Sequence, residues 1–213
     1  MNPYEETFQL LFDHFGPQGW WPADTQIEIV VGAVLAQNTN WQNVEKALDN
    51  LRDNNLLNIE ALVSIDIESL AGHIRPSGFF NVKAKRLKAL LGMIEGEYSG
   101  DLEQLFTDEL WAARENLLSV KGVGEETADS ILLYGGKQPV FVVDSYCHRV
   151  FSRHNLLDEE TDYQTIQQTF MVNLPEDAQL FNEYHALIVA VAKKYCKKKK
   201  PLCDLCPLKD IGY

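Results

Sequence analysis

Three groups of residues in this 213-residue chain have types and spacings that could do chemistry. The first is Lys121-Gly122-Val123-Gly124, set between a helix expected to end near Leu118 and one expected from Glu125 to about Tyr134. Helix, Gly-Val-Gly and helix can turn several backbone N–H groups, and the positive end of the second helix, towards an anion. A phosphodiester suits such a site without any basic side chain, and glycines one residue apart admit positive φ and close backbone approach. The same residues also describe an ordinary αα turn with a glycine cap. The second group is Asp144, twenty residues after Gly124, at the end of an apolar run and just before Ser145-Tyr146-Cys147-His148-Arg149. Its expected place is the start of a helix, facing the same cleft as the hairpin. There it is either a helix cap or a carboxylate that stabilises a developing sugar cation and orients or deprotonates a water. Those are the demands of breaking a glycosidic bond through an oxocarbenium-like transition state. The third group is Cys196, Cys203 and Cys206, crowded near the chain end in a way that suggests a metal.

The elements that must position these groups read as helices. Apolar residues recur at helical spacing nearly everywhere, and the one strand-like run is Pro139-Val-Phe-Val-Val143, so the expectation is an all-α protein of about ten short helices. Asp24 is the expected cap of a helix presenting Ile27, Val30, Val31, Val34 and Leu35, which ends near Gln37-Asn38-Thr39. Further helices are expected near 41–53, 59–73, 81–97, 107–118, 145–154, 162–173 and 176–195. The division expected is a six-helix lobe over 24–136 holding the hairpin. A second helical lobe, 1–23 plus 137–213, carries the C-terminal cysteine loop.

Nineteen Lys and Arg face thirty-one Asp and Glu, a net charge of −12 that taken alone argues against a nucleic-acid binder. The charge is segregated, however. From Lys193 onward seven Lys face two Asp, so that tail carries +5 and residues 1–192 carry −17. No apolar run approaches a bilayer span and no export signal opens the chain, which predicts a cytoplasmic protein without membrane contact and with reduced thiols.

The stretch Leu118-Ser-Val-Lys-Gly-Val-Gly-Glu-Glu-Thr-Ala128, followed by Val142-Val-Asp-Ser-Tyr146, resembles the helix–hairpin–helix and catalytic aspartate of the endonuclease III superfamily of DNA glycosylases. Gly32-Ala-Val-Leu-Ala-Gln-Asn-Thr39 is similar to that family's early helix and DNA-inserting Gln turn. The resemblance implies double-stranded DNA as partner, with Asp144 as the essential carboxylate. Gln37 and Asn38 would enter the gap left by a flipped nucleotide or touch the opposite base. Lys121, Gly122, Gly124 and Thr127 would make further DNA contacts, Lys121 being either a phosphate contact or merely solvated. The bifunctional members carry a lysine two residues past the second glycine, whose amine attacks the sugar; this chain has Glu126 there. A carboxylate cannot form that imine, so a monofunctional glycosylase, needing only Asp144 and water, is expected.

Within the superfamily, Trp20-Trp-Pro22, Gln37-Asn-Thr-Asn-Trp41, Arg75-Pro-Ser-Gly-Phe-Phe-Asn81 and Lys83-Ala-Lys-Arg-Leu87 resemble the 3-methyladenine DNA glycosylase III branch. The resemblance implies that Trp21 and Trp41 sandwich the flipped base. Flat electron-rich rings suit a cationic alkylpurine, whose charge also makes it a good leaving group. The cluster Lys83, Lys85, Arg86 and Lys88 is either a set of phosphate contacts or a solvated helix face. Cys196-x6-Cys203-x2-Cys206 matches the first three ligands of the family's [4Fe–4S] loop, but the fourth position holds Gly212. The three cysteines hold a [4Fe–4S] cluster whose fourth iron uses another ligand, or a [3Fe–4S] form, or belong to a decayed site; iron–sulfur, [4Fe–4S] by the resemblance, is favoured over an empty or zinc site. The function so implied is base-excision repair of 3-methyladenine or related alkylated purines by a monomer at the prokaryotic nucleoid. The alternatives are an oxidised-pyrimidine glycosylase/lyase and a non-enzymatic damage-binding protein.

Overall fold

The computed structural model describes residues 2–211. It divides into two compact units, Met1–Pro22 with Pro139–Tyr213, and Ala23–Gln138. Among the described residues there are twelve α-helices and no β-strand. Gly212, which stands at the expected fourth ligand position, lies outside the described residues.

Helix α1 (Pro3–Phe15) opens the first unit with a capping box: Asn2 accepts from Tyr4 N and Glu5 N, and Glu5 accepts in return from Asn2 N.

The central unit is built around α2 (Gln26–Leu35), in which Ile27 to Leu35 are all buried and all but Glu28 are apolar or glycine, as befits a helix enclosed by its neighbours. Its cap is Thr25 rather than the expected Asp24. Thr25 Oγ1 accepts from Glu28 N at 3.4 Å while the Glu28 carboxylate accepts from Thr25 N and Asp24 N, a reciprocal arrangement that a lone Asp cannot provide. Around α2 pack α3 (Trp41–Asp53) and, further on, α6 (Phe80–Tyr98). The segment expected as one helix near 59–73 is two, α4 (Ile59–Ser64) and α5 (Ile67–His73), because Asp66 starts the second by accepting from Glu68 N and Ser69 N. Likewise α7 (Leu102–Thr107), which periodicity did not suggest, precedes α8 (Leu110–Leu118). Finally α9 (Glu125–Ser130) widens into a π turn over Ile131–Gly135. The Gly135-Gly136 pair is explained by packing: a Cβ on either would come within 2.6 or 2.8 Å of the Phe106 ring.

In the first unit the strand-like run from Pro139 to Val143 forms no strand, and side chains take two of its backbone groups. Gln167 Nε2 donates to Phe141 O at 2.7 Å and Val143 N donates to the Tyr163 hydroxyl at 3.3 Å. There follow α10 (Ser145–Arg153), α11 (Tyr163–Asn173) and α12 (Ala178–Lys194). They close on an aromatic core in which Phe141 stacks on Phe170 at 4.1 Å, with Tyr4, Phe151 and Tyr184 packed edge-on or stacked around them. The buried Tyr184 hydroxyl is satisfied by donating to Tyr4 O at 2.7 Å. No helix among the described residues is long and apolar enough to cross a membrane.

Candidate active site

Asp144 caps α10, and its two carboxylate oxygens have different tasks. Oδ1 accepts from Tyr146 N at 2.9 Å and from Cys147 N at 2.8 Å, which locks the group against the helix. Oδ2 has His185 Nε2 at 3.6 Å, an ion-pair distance rather than a hydrogen bond, and the Asp144 side chain keeps 12% of its surface exposed. Burial by itself would raise this carboxyl's pKa, but His185 and the two backbone N–H groups outweigh it and hold the group below the usual Asp value. The result is a carboxylate that favours its ionised form, fixed through one oxygen with the other turned towards His185. Beneath it Cys147 is wholly buried, and burial together with the Asp144 charge pushes its thiol well above the ordinary value, so it is inert as a nucleophile.

His185 was not singled out from the sequence. Its signal is faint: Phe181, Tyr184, His185 and Ile188 recur at core spacing on α12, so a histidine there reads as one more buried side chain. Only the fold brings it to Asp144.

In the central unit the hairpin is braced from within. Gln37 Nε2 donates to Gly122 O at 3.1 Å and to Thr127 Oγ1 at 3.0 Å, while Gln37 Oε1 accepts from Arg86 Nη1 at 2.5 Å. Both ends of the amide are therefore occupied within the unit, and Thr127, which is buried, turns its hydroxyl inwards to Gln37. Gly122 has φ +99, and a Cβ there would lie 2.6 Å from Arg86 Cγ. Gly124 differs: its φ is −101 and a Cβ would meet nothing within 4 Å. The fold thus demands glycine at 122 and leaves the space at 124 open to something outside the chain. No side chain caps α9. Below the hairpin, Arg114 Nε and Nη2 grip the fully buried Asp129 carboxylate at 2.7 and 3.1 Å, tying α8 to α9.

Gly122→Ala is accordingly expected to lower stability by roughly 1–2 kcal/mol from left-handed strain. It should also displace Arg86 from Gln37. Thermal unfolding measures the first effect, and affinity for duplex DNA the second.

The basic cluster on α6 separates by environment. Lys83 is buried and donates to Leu35 O at 2.8 Å and Ser77 O at 2.7 Å; burial, aided by the Arg86 charge, pushes its pKa down to about 8. Lys88 donates to Leu62 O, Val63 O and Ile65 O. Both lysines stitch helix ends together. Lys85 is exposed and Arg86 half-exposed beside the hairpin; Lys121 is exposed too. Asn38 is exposed in the left-handed region at φ 54, which Asn tolerates. Phe79 also adopts positive φ, +46, and leaves 71% of its surface exposed, a costly placement for an aromatic that sequence reading did not flag as functional. Trp21 is half-buried in the first unit, its ring 5.7 Å from that of Trp20. Trp41 opens α3 in the central unit, its indole donating to Glu45 at 3.0 Å.

Cys196, Cys203 and Cys206 line one cavity of about 230 Å³. Arg149 and Arg153, one turn apart on α10, hold its loop: Arg149 Nε donates to Cys196 O at 2.8 Å, and Arg153 Nη1 to Lys197 O at 2.8 Å and towards Cys196 Sγ at 3.4 Å. Burial raises the Cys206 pKa against the opposing backbone bond with Leu208, and Cys196 and Cys203 add to the rise. No three His, Cys, Asp or Glu side chains among the described residues converge on a point that one metal ion could share. The three thiols line that cavity together, a donor type that iron–sulfur centres and zinc both use.

The pattern of the HhH-GPD superfamily of base excision DNA repair proteins matches residues 31–176, and the chain belongs to that superfamily. A Methanocaldococcus jannaschii protein provisionally named as a DNA repair glycosylase is 48% identical over 96% of this chain and 93% of its own length. The structure of an H. pylori 3-methyladenine DNA glycosylase bound to 1,N6-ethenoadenine is similar with TM-score 0.76 and 32% identity, covering 91% of this chain and 98% of that one. An endonuclease III from Thermotoga maritima is 31% identical over 85% of this chain and 80% of its own.

Proposed function

We propose that this base-excision repair glycosylase hydrolyses the N-glycosidic bond of 3-methyladenine or related alkylated purines in duplex DNA, without strand cleavage. The observation that carries the reading is Asp144: locked through Oδ1, turned through Oδ2 towards His185, and held ionised. Such a group orients a water, accepts its proton and opposes the positive charge that grows on the sugar as the bond to the base lengthens. A cationic base departs as a neutral molecule, so no strong general acid is required. Trp21 and Trp41 would stack on it from either face. The similarity to the H. pylori enzyme, a 3-methyladenine glycosylase by name, supports the alkylpurine class.

The hairpin would hold a phosphodiester through its backbone N–H groups, with Gly124 leaving room for that approach and Lys121 contributing charge. Phe79 and Asn38, both exposed at positive φ, are the side chains best placed to enter a base stack on the central unit's surface. Gln37 would have to give up its bonds to Arg86, Gly122 and Thr127 to do so. Cys196, Cys203 and Cys206 would hold a [4Fe–4S] cluster, which when bound stiffens the loop Lys197 to Leu202 and presents its lysines to DNA.

The test is release of free 3-methyladenine from alkylated duplex, followed by chromatography; release with no nicking is expected, and no release overturns the assignment. The similarity to endonuclease III favours a second reading, an oxidised-pyrimidine glycosylase/lyase. That reading needs an imine to the sugar, whereas the lysine position carries the exposed carboxylate Glu126. Borohydride treatment during turnover should therefore trap no enzyme–DNA adduct; a trapped adduct would establish the lyase.

A further inference from the structure

Three thiols leave a four-cornered centre one donor short, and Gly212, at the expected fourth position, has no side chain to offer. We infer that His154 supplies the missing ligand through Nε2. The inference rests on the cluster proposed above. His154 lines the same cavity as Cys196, Cys203 and Cys206. As the residue that ends α10, it is carried by the same helix whose Arg149 and Arg153 pin the cysteine loop. Its Nδ1 is hydrogen-bonded to the carbonyl oxygen of Ile211. A carbonyl only accepts, so Nδ1 carries the ring proton and Nε2 keeps its lone pair. That is the tautomer, and the supporting bond on the far side of the ring, that a ligating imidazole uses.

The other candidates fall away. Cys147 is wholly buried beside Asp144 and does not line the cavity. Tyr195 lines it, but the hydroxyl lies 3.1 Å from His14 Nε2. Charge agrees with a nitrogen donor, since a neutral imidazole in place of a fourth thiolate leaves the centre less anionic beside the lysines of its own loop.

The test uses the full chain purified without oxygen. Iron, sulfide and zinc are quantified, and the dithionite-reduced protein is examined by pulsed EPR for directly bonded 14N. The expected result is about four iron and four sulfide per chain, with a strong nitrogen coupling that vanishes in His154→Cys while iron is retained. His154→Ala should lose about a quarter of the iron and show the oxidised [3Fe–4S] signal. A full iron complement with no directly bonded nitrogen in the wild type overturns the His154 assignment and leaves the cluster standing. Stoichiometric zinc in the wild type, lost in His154→Ala, supports His154 as ligand and overturns the cluster. Neither metal, even after reconstitution with ferrous iron and sulfide, overturns both. The wild-type spectrum decides the matter should either variant fail to fold.

Discussion

Replacing Asp144 by Asn is expected to cut base release by at least roughly 10²–10³-fold, the scale on which removing one charge-stabilising group from a transition state acts. The loss should fall on turnover, with fold and DNA affinity kept. Asn retains an oxygen to accept from Tyr146 N and Cys147 N, so the cap on α10 survives. What disappears is the negative charge at Oδ2 and its capacity to take a proton from water. Undiminished release of free base by Asp144→Asn would remove Asp144 from the mechanism. The pH profile gives an independent check. Burial pushes this carboxyl up, His185 and the backbone donors push it down, and the balance is a lowered value. Its acid limb should therefore lie below the ordinary Asp value of about 3.9. The sign for stability is the same. The folded-state preference for the ionised form is fully present above the unfolded value and is lost as pH falls through the folded one. In Asp144→Asn both the acid limb and that component of acid unfolding should vanish.

Asp129→Ala is expected to destabilise the protein by about 3–5 kcal/mol, the cost of leaving a buried partner charge uncompensated. Asp129 is fully buried, and it takes two bonds from Arg114, whose side chain is only 10% exposed. Glu125, 3.6 Å from the same guanidinium, softens the loss and places it towards the lower end of that range. The pair joins the two helices of the hairpin, so the damage should extend to DNA binding. Urea unfolding measures the first effect. Replacing both partners by apolar residues, Asp129→Leu with Arg114→Met, should restore most of the stability, because the two buried charges leave together and Glu125, whose side chain is 32% exposed, keeps its contact with water. If the single variant unfolds at the wild-type denaturant midpoint, the pair contributes nothing.

These two residues show what a sequence discloses and what it withholds. Asp144 is legible because its signal is local: an aspartate after an apolar run and before a helix, at a set distance from a Gly-Val-Gly turn. The helices are legible for the same reason, and Thr25-x-x-Glu28 or Asp66 could have corrected the boundaries that periodicity blurred. Asp129, by contrast, reads as a polar residue on a short helix, since nothing in its neighbours announces an arginine fifteen positions earlier. Lys83 and Lys88 look like surface cations until the fold turns their amines onto backbone carbonyls. Gln37 meets its partners across sequence separations of 49, 85 and 90 residues. Composition reports charge, but a partner distant along the chain decides whether that charge faces water, protein or DNA.

The bonds that Gln37 makes to Arg86, Gly122 and Thr127 bear on how quickly DNA is engaged. A loop that first takes shape on its ligand pays ordering entropy at that moment, and association slows accordingly. Here the hairpin already holds its shape in the free protein, so the phosphate contact proposed for it asks for little rearrangement. Scanning along undamaged duplex should then be limited by encounter and salt rather than by loop ordering, leaving the slow step to extrusion of the damaged base.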